Sequence, residues 1–180
     1  MRHHALSAIG RDRPGIVAAV SEVLLAHDVN IEDSQMTILR GHFTMMLVVA
    51  LPDGADADAL RADLDAVRDR LGLEALALSE LGDADPAGEP VPSQIVTLYG
   101  ADHPGIVHAA TSALAERGVD ITDLNTKLVG EGPETPLYAL MMEIAPPDDV
   151  DAAELQAALE RVAGEQGVEV TLRPLAQDAL

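Results

Sequence analysis

Two stretches of this chain are near copies of each other, 90 residues apart: Gly10-Arg-Asp-Arg-Pro-Gly-Ile-Val17 lies over Gly100-Ala-Asp-His-Pro-Gly-Ile-Val107. Between residues 10 and 33 the shift gives 11 identities in 24 positions, where chance gives about two. Further on, Met45-Met46 matches Met141-Met142 at a shift of 96, which places six extra residues in the turn-rich stretch 130–136. Insertions of that kind belong in surface hairpin loops. A tandem duplication limits the fold to two small units of one design. The stretch Gly82 to Pro92, with three prolines, two glycines and three acids, reads as the linker between them. The units are therefore expected over residues 1–81 and 93–180.

Each copy carries the same order of signals. Residues 4–9 form a short apolar strand, and Ile16, Val17, Val20, Val23 and Leu24 then recur at helical spacing, with Pro14 in the expected first turn. Residues 31–39 and 43–51 are β-rich and meet across Arg40-Gly41-His42, a hairpin. Leu60, Leu64, Val67 and Leu71 predict an amphipathic helix, and 73–81 a closing strand. In the second copy Leu155, Leu159 and Val162 mark the second helix, and Val168, Val170 and Leu172 alternate inward on the last strand. The order βαββαβ, twice, predicts an α+β chain of two ferredoxin-like units. In each, two helices cover one face of a four-stranded antiparallel sheet, leaving the other face and the edge strands available to a partner.

Composition removes several functions. Thirty-one acids against 11 basic residues give a net charge of −20, with Lys127 the single lysine. A grip on nucleic acid or an anionic membrane needs a basic face, so neither partner is expected. The bias itself fits either GC-rich coding or a salt-adapted cytoplasm. Three aromatics (Phe43, Tyr99, Tyr138) supply no base-stacking platform, and the absence of cysteine excludes disulfides and thiolate chemistry. Uncharged stretches such as 41–52 are too short to span a bilayer, and no leader is visible, so a cytoplasmic location is expected.

The chemistry concentrates in the repeated motif. Gly10 and Gly100 permit a sharp exit from the strand, while Pro14 and Pro104 preset φ for helix entry. Gly15 and Gly105 let a ligand approach the backbone. Amides at the start of a helix can receive a carboxylate, each contact contributing about 0.3–1 kcal/mol. Asp12 and Asp102 either cap the helix or hold a ligand ammonium. Both readings stay open at this point, since Asp before Pro-Gly starts helices in any protein.

The βαββαβ order with Asp-x-Pro-Gly-Ile-Val resembles the ACT domain. The tandem form, with Val29-Asn-Ile-Glu-Asp-Ser34 and Phe43-Thr-Met-Met46, resembles the glycine cleavage system transcriptional repressor family. The amino-terminal unit of formyltetrahydrofolate deformylase is similar too. The likeness covers nearly the whole chain, so no appended catalytic domain is expected. It implies a regulator that binds a small amino acid, glycine or similar. Such a regulator acts by protein contact with a DNA-binding regulator or a metabolic enzyme, and a homo-oligomer is allowed. In that family the ligand lies between two units, against the first strand–helix turn and the start of the second strand. Here those positions are Asp12, Arg13, Pro14, Gly15 and Ile16 with Asn30 and Ile31, and Asp102, His103, Pro104, Gly105 and Ile106 with Asp120 and Ile121. Arg13 and Asn30 make the first unit the expected better carboxylate receptor. The linker is long enough for the two units to pair within one chain, an alternative source of that juxtaposition.

No catalytic set is expected: the serines lie in no nucleophile elbow, and the motif lacks the lysine and glycine spacing of a phosphate loop. The six histidines show no metal-ligand spacing, so neither metal nor cofactor is expected. His27 and His42 read as surface residues, the Met pairs as core and interface filler, and the pairs Asp56/Asp58 and Asp148-Asp149 as helix-start acids. A scaffold of ligand-free ACT units is the alternative function.

Overall fold

The computed structural model describes residues 2–82, 88–129 and 137–175. The insertion expected at 130–136 and part of the linker fall outside them. Two compact units, Met1–Ala84 and Asp85–Leu180, divide the chain. The first runs β1 (Arg2–Arg11), α1 (Ile16–Ala26), β2 (Asn30–Leu39), β3 (His42–Leu51), α2 (Ala57–Leu71) and β4 (Ala75–Glu80). The second repeats it with β5 (Gln94–Ala101), α3 (Ile106–Ala115), β6 (Asp120–Val129), β7 (Leu137–Ala145), α4 (Ala152–Gln166) and β8 (Val168–Pro174). Each sheet is antiparallel and four-stranded, ordered β2-β3-β1-β4 and β6-β7-β5-β8. This is the ferredoxin-like α+β unit read from the sequence, present twice.

The apolar periodicities become the two cores. Leu6, Ala8, Phe43, Leu47 and Val49 on the first sheet pack under Ile16, Val20 and Leu24 of α1 and Leu60, Leu64 and Val67 of α2. Val96, Leu98, Leu140, Met142 and Ile144 do the same under Ile106, Ala110, Leu114, Leu155 and Leu159. Burying one such leucine stabilises a unit by about 1.5–3 kcal/mol. On α4 the inward stripe continues to Ala163 at spacing i, i+4, i+8, so Ala163 is buried and Val162 lies half-buried on its flank. His27, the residue closing α1, is held 2.7 Å from Asp63 Oδ2 and so ties the two helices of the first unit.

Strand register corrects the alignment of the repeat. Gly10 pairs with Phe43 and Gly100 with Tyr138, so the second copy carries five extra residues there, not six. The paired methionines had been matched out of phase. Met45 and Met142 point into the cores, whereas Met46 and Met141 lie on the opposite faces and are exposed. A slip of one residue exchanges the faces of a strand. Both copies bulge at the same place, after Ile31 and after Ile121. The edge strand β2 is exposed along its whole length, including Ile31, Met36, Ile38 and Leu39.

Candidate functional site

The repeated turn has one unusual geometry in both units. Gly15 and Gly105 are the residues that open α1 and α3, at φ +95° and +110°, a region open to glycine and strained for other residues. A residue in that conformation cannot belong to the helix, so the helices begin at Ile16 and Ile106. Pro14 and Pro104 therefore precede the caps instead of forming the first turn. Gly10 and Gly100 also differ from expectation, because β1 and β5 continue one residue past them. Their lack of a side chain serves close approach: a Cβ on Gly100 would lie 3.0 Å from the Cα of Val168.

No side chain caps α1 or α3. The other two helices are closed conventionally: Asp56 accepts hydrogen bonds from the amides of Asp58 and Ala59, both at 3.0 Å. Asp151 accepts them from Ala153 and Glu154 at 2.7 and 3.1 Å. The capping alternative for Asp12 and Asp102 is thus not realised; both carboxylates are exposed beside the turn. The fourth helix start likewise belongs to Asp151 and not to the Asp148-Asp149 pair. The first amides of α1 and α3 have no acceptor within their own helices. Next to them, Asp102 to Val107 and Tyr138 line a hollow of about 370 Å³.

Arg13 and His103 occupy corresponding places, each at the end of its unit's second helix. A Cβ on Gly72, which closes α2, would lie 3.3 Å from Arg13 Nη2. His103 Nε2 lies 2.7 Å from the carbonyl of Gln166, the last residue of α4, and Nδ1 lies 3.1 Å from the carbonyl of Pro104. The Gln166 carbonyl foremost, then that of Pro104, raises the imidazole pKa above its ordinary value; burial opposes them and the Asp102 charge adds to them.

Within one unit the turn and the start of the second strand do not meet. Asn30 pairs with Ala50, which pairs with His3, whereas the turn follows Arg11 at the opposite end of the sheet. Eight residues of strand separate those ends, about 26 Å. Asp120, beside Ala145, is removed from the Asp102–Ile106 turn in the same way. Asn30 and Ile31 instead line a shallow hollow of about 510 Å³ at the other end of α1. Sequence reasoning missed Tyr138, whose equivalent Phe43 becomes apparent only in the corrected register. It also missed the helix ends at Gly72 and Gln166, for which no local spacing gives a signal.

Among the described residues no group of three or more metal-binding side chains occurs. His3 bonds Glu32 at 3.1 Å, and His4, on the other face of the strand, is buried.

Comparison with known proteins places these features. Residues 5–76 and 94–173 each match the family model described as "ACT domain". The chain is 31% identical over 168 residues to the phosphoserine phosphatase SerB2 of Mycobacterium tuberculosis, covering 93% of this chain and 39% of that protein. A phosphoserine phosphatase of Streptomyces coelicolor gives 30% identity, again over 38% of its length. The chain thus spans less than half of these relatives. A UPF0237 protein of Methanopyrus kandleri is 38% identical over 81 residues, 44% of this chain and 90% of its own. Among solved structures, a protein of Galdieria sulphuraria superposes with a TM-score of 0.80 at 27% identity, covering 97% of this chain and 99% of that one. A protein assigned provisionally as a glycine cleavage system transcriptional repressor gives 0.73 at 17% identity, with 97% of each covered, a likeness of fold.

Proposed function

We propose that this chain, which belongs to the ACT-domain family, is a regulatory protein that binds a small amino acid, glycine or similar. It passes that signal on by contact with a transcription regulator or a metabolic enzyme. One observation carries the reading. Of the four helices among the described residues, the two that follow the repeated motif begin uncapped at an exposed glycine turn, while the other two are closed by aspartates. Amides left without side-chain acceptors suit a carboxylate, and Asp12 or Asp102 beside them suits an ammonium. A small α-amino acid presents both charges a few ångströms apart.

The part assigned to Asn30, Ile31, Asp120 and Ile121 needs a second unit, because each unit's own turn lies at the far end of its sheet. The chain itself performs no chemistry in this reading, and the net charge of −20 places any DNA contact on the partner.

A second reading is favoured by the likeness to two phosphoserine phosphatases over nine-tenths of the chain. In it the amino acid is serine and the partner a phosphatase domain. A thermal-shift screen against the twenty amino acids tests both, since a ligand at 100 times its Kd adds about 2.7 kcal/mol of stability. Glycine as the strongest stabiliser supports the first reading and serine the second. Stabilisation by none leaves the ligand-free scaffold.

A further inference from the structure

We infer that His103 is a positioning residue, a proton-dependent latch that fastens the glycine turn of the second unit to the carbonyl end of α4. In the first unit the corresponding residue is Arg13, whose guanidinium lies beside Gly72 at the end of α2. This rests on the proposal that the turn receives the ligand, but the latch can be observed without one.

The geometry demands a proton. Both ring nitrogens of His103 face carbonyl oxygens, at 2.7 and 3.1 Å. A carbonyl only accepts, and a neutral imidazole donates from one nitrogen alone. The imidazolium satisfies both contacts; the neutral ring sets a lone pair against one oxygen. The Gln166 carbonyl is also among the last of α4, where the helix dipole favours a cation.

The surroundings add little that could mask this. Asp102, on the same turn, is the charged side chain whose field bears on the ring, and it favours the proton. From α4 the ring meets the uncharged Gln166, whose Oε1 would lie 3.4 Å from a Cβ on Gly105; the adjacent Glu165 is exposed. From β7 the phenol ring of Tyr138 lines the same hollow. On β8, Val168 faces Gly100 and Glu169 points to the other side of the sheet. On α3, His108 is exposed and lies 3.4 Å from Ser112 Oγ. As the pH rises the neutral ring donates from one nitrogen only; with its proton on Nε2 it keeps the Gln166 carbonyl and loses that of Pro104, so the Pro104–Gly105 peptide is no longer bridged through the ring to α4. The turn of the second unit therefore responds to pH.

The test is an NMR titration of the full chain from about pH 5.5 to about 8.5, following the histidine ring protons and the amides of Gly105 and Ile106. His103 is expected to titrate above the ordinary midpoint of about 6.5, and both amides to move with its midpoint. In His103→Arg they should stay at their acid-side positions throughout, and in His103→Ala at their alkaline-side positions. A His103 midpoint at or below 6.5, or amides that ignore it in the parent, overturns the latch. An amide titration surviving in His103→Arg with the parent's midpoint overturns it too. Adding glycine afterwards separates the two claims: failure to bind counts against the proposed function and leaves the ring titration unaltered.

Discussion

Gly10 passes so close to Leu73 that a Cβ there would lie 2.8 Å from Leu73 Cδ2 and 3.2 Å from its Cα. The side-chain end could swing away; the backbone of the segment leading into β4 could not. Gly10→Ala is therefore expected to destabilise the first unit by about 1–3 kcal/mol through overpacking. Gly100→Ala should cost the second unit at least as much, because its new methyl would meet the Val168 backbone at 3.0 Å. Denaturant unfolding of each variant measures this, and an unchanged midpoint in both would show that β4 and β8 yield freely.

The contrast between capped and uncapped helices makes a paired prediction. Asp56→Ala and Asp151→Ala each remove a carboxylate that accepts two amide hydrogen bonds, with an expected loss of about 0.5–2 kcal/mol. Asp12→Ala and Asp102→Ala remove no cap and should leave stability within about 0.5 kcal/mol. If Asp12→Ala costs as much as Asp56→Ala, the free-amide reading of the turn loses its basis.

Much of this arrangement is legible in the sequence. Leu60, Leu64 and Val67, spaced for a helix face, are the residues α2 buries, and the duplication locates both motif turns. What misled was residue identity. Two Met-Met pairs invite alignment with each other, yet strand pairing sets Met46 over Met141 and Met45 over Leu140. That single step hid the equivalence of Phe43 and Tyr138. Arg13 and His103 attract notice as ligand groups because they stand in the motif. Their neighbours Gly72 and Gln166 are some 60 residues away, and only the packing of the second helix against the turn brings them there.

Gly15 supplies a stability prediction that bears on how the site is probed. No atom lies within 4 Å of a Cβ placed on it, but its φ of +95° disfavours any side chain. Gly15→Ala is expected to cost about 1–3 kcal/mol from backbone strain without a clash. Gly15→Val, a natural choice for blocking a ligand, would combine that strain with the block. Circular dichroism melts of Gly15→Ala against the parent check this, and equal melting temperatures would contradict it.

The raised pKa of His103 fixes the sign of a pH effect. A cation stabilised by folding contributes below its unfolded pKa of about 6.5, and the contribution disappears as pH rises through the higher folded value. The melting-temperature difference between the parent and His103→Gln should therefore be largest in mild acid and shrink as the pH rises through the ring's raised folded midpoint. Taking the difference removes the shared titration of the other five histidines. A gap that widens with rising pH would reverse the assignment.

The central claim is that the uncapped turns receive a small amino acid, and isothermal titration of the full chain with glycine and then serine tests it most directly. Binding is expected for one of them in the parent. Its loss is expected when Asp12→Ala and Asp102→Ala are combined in a chain that circular dichroism shows to be folded. Absence of binding by every small amino acid, or binding untouched by the double substitution, would contradict the account.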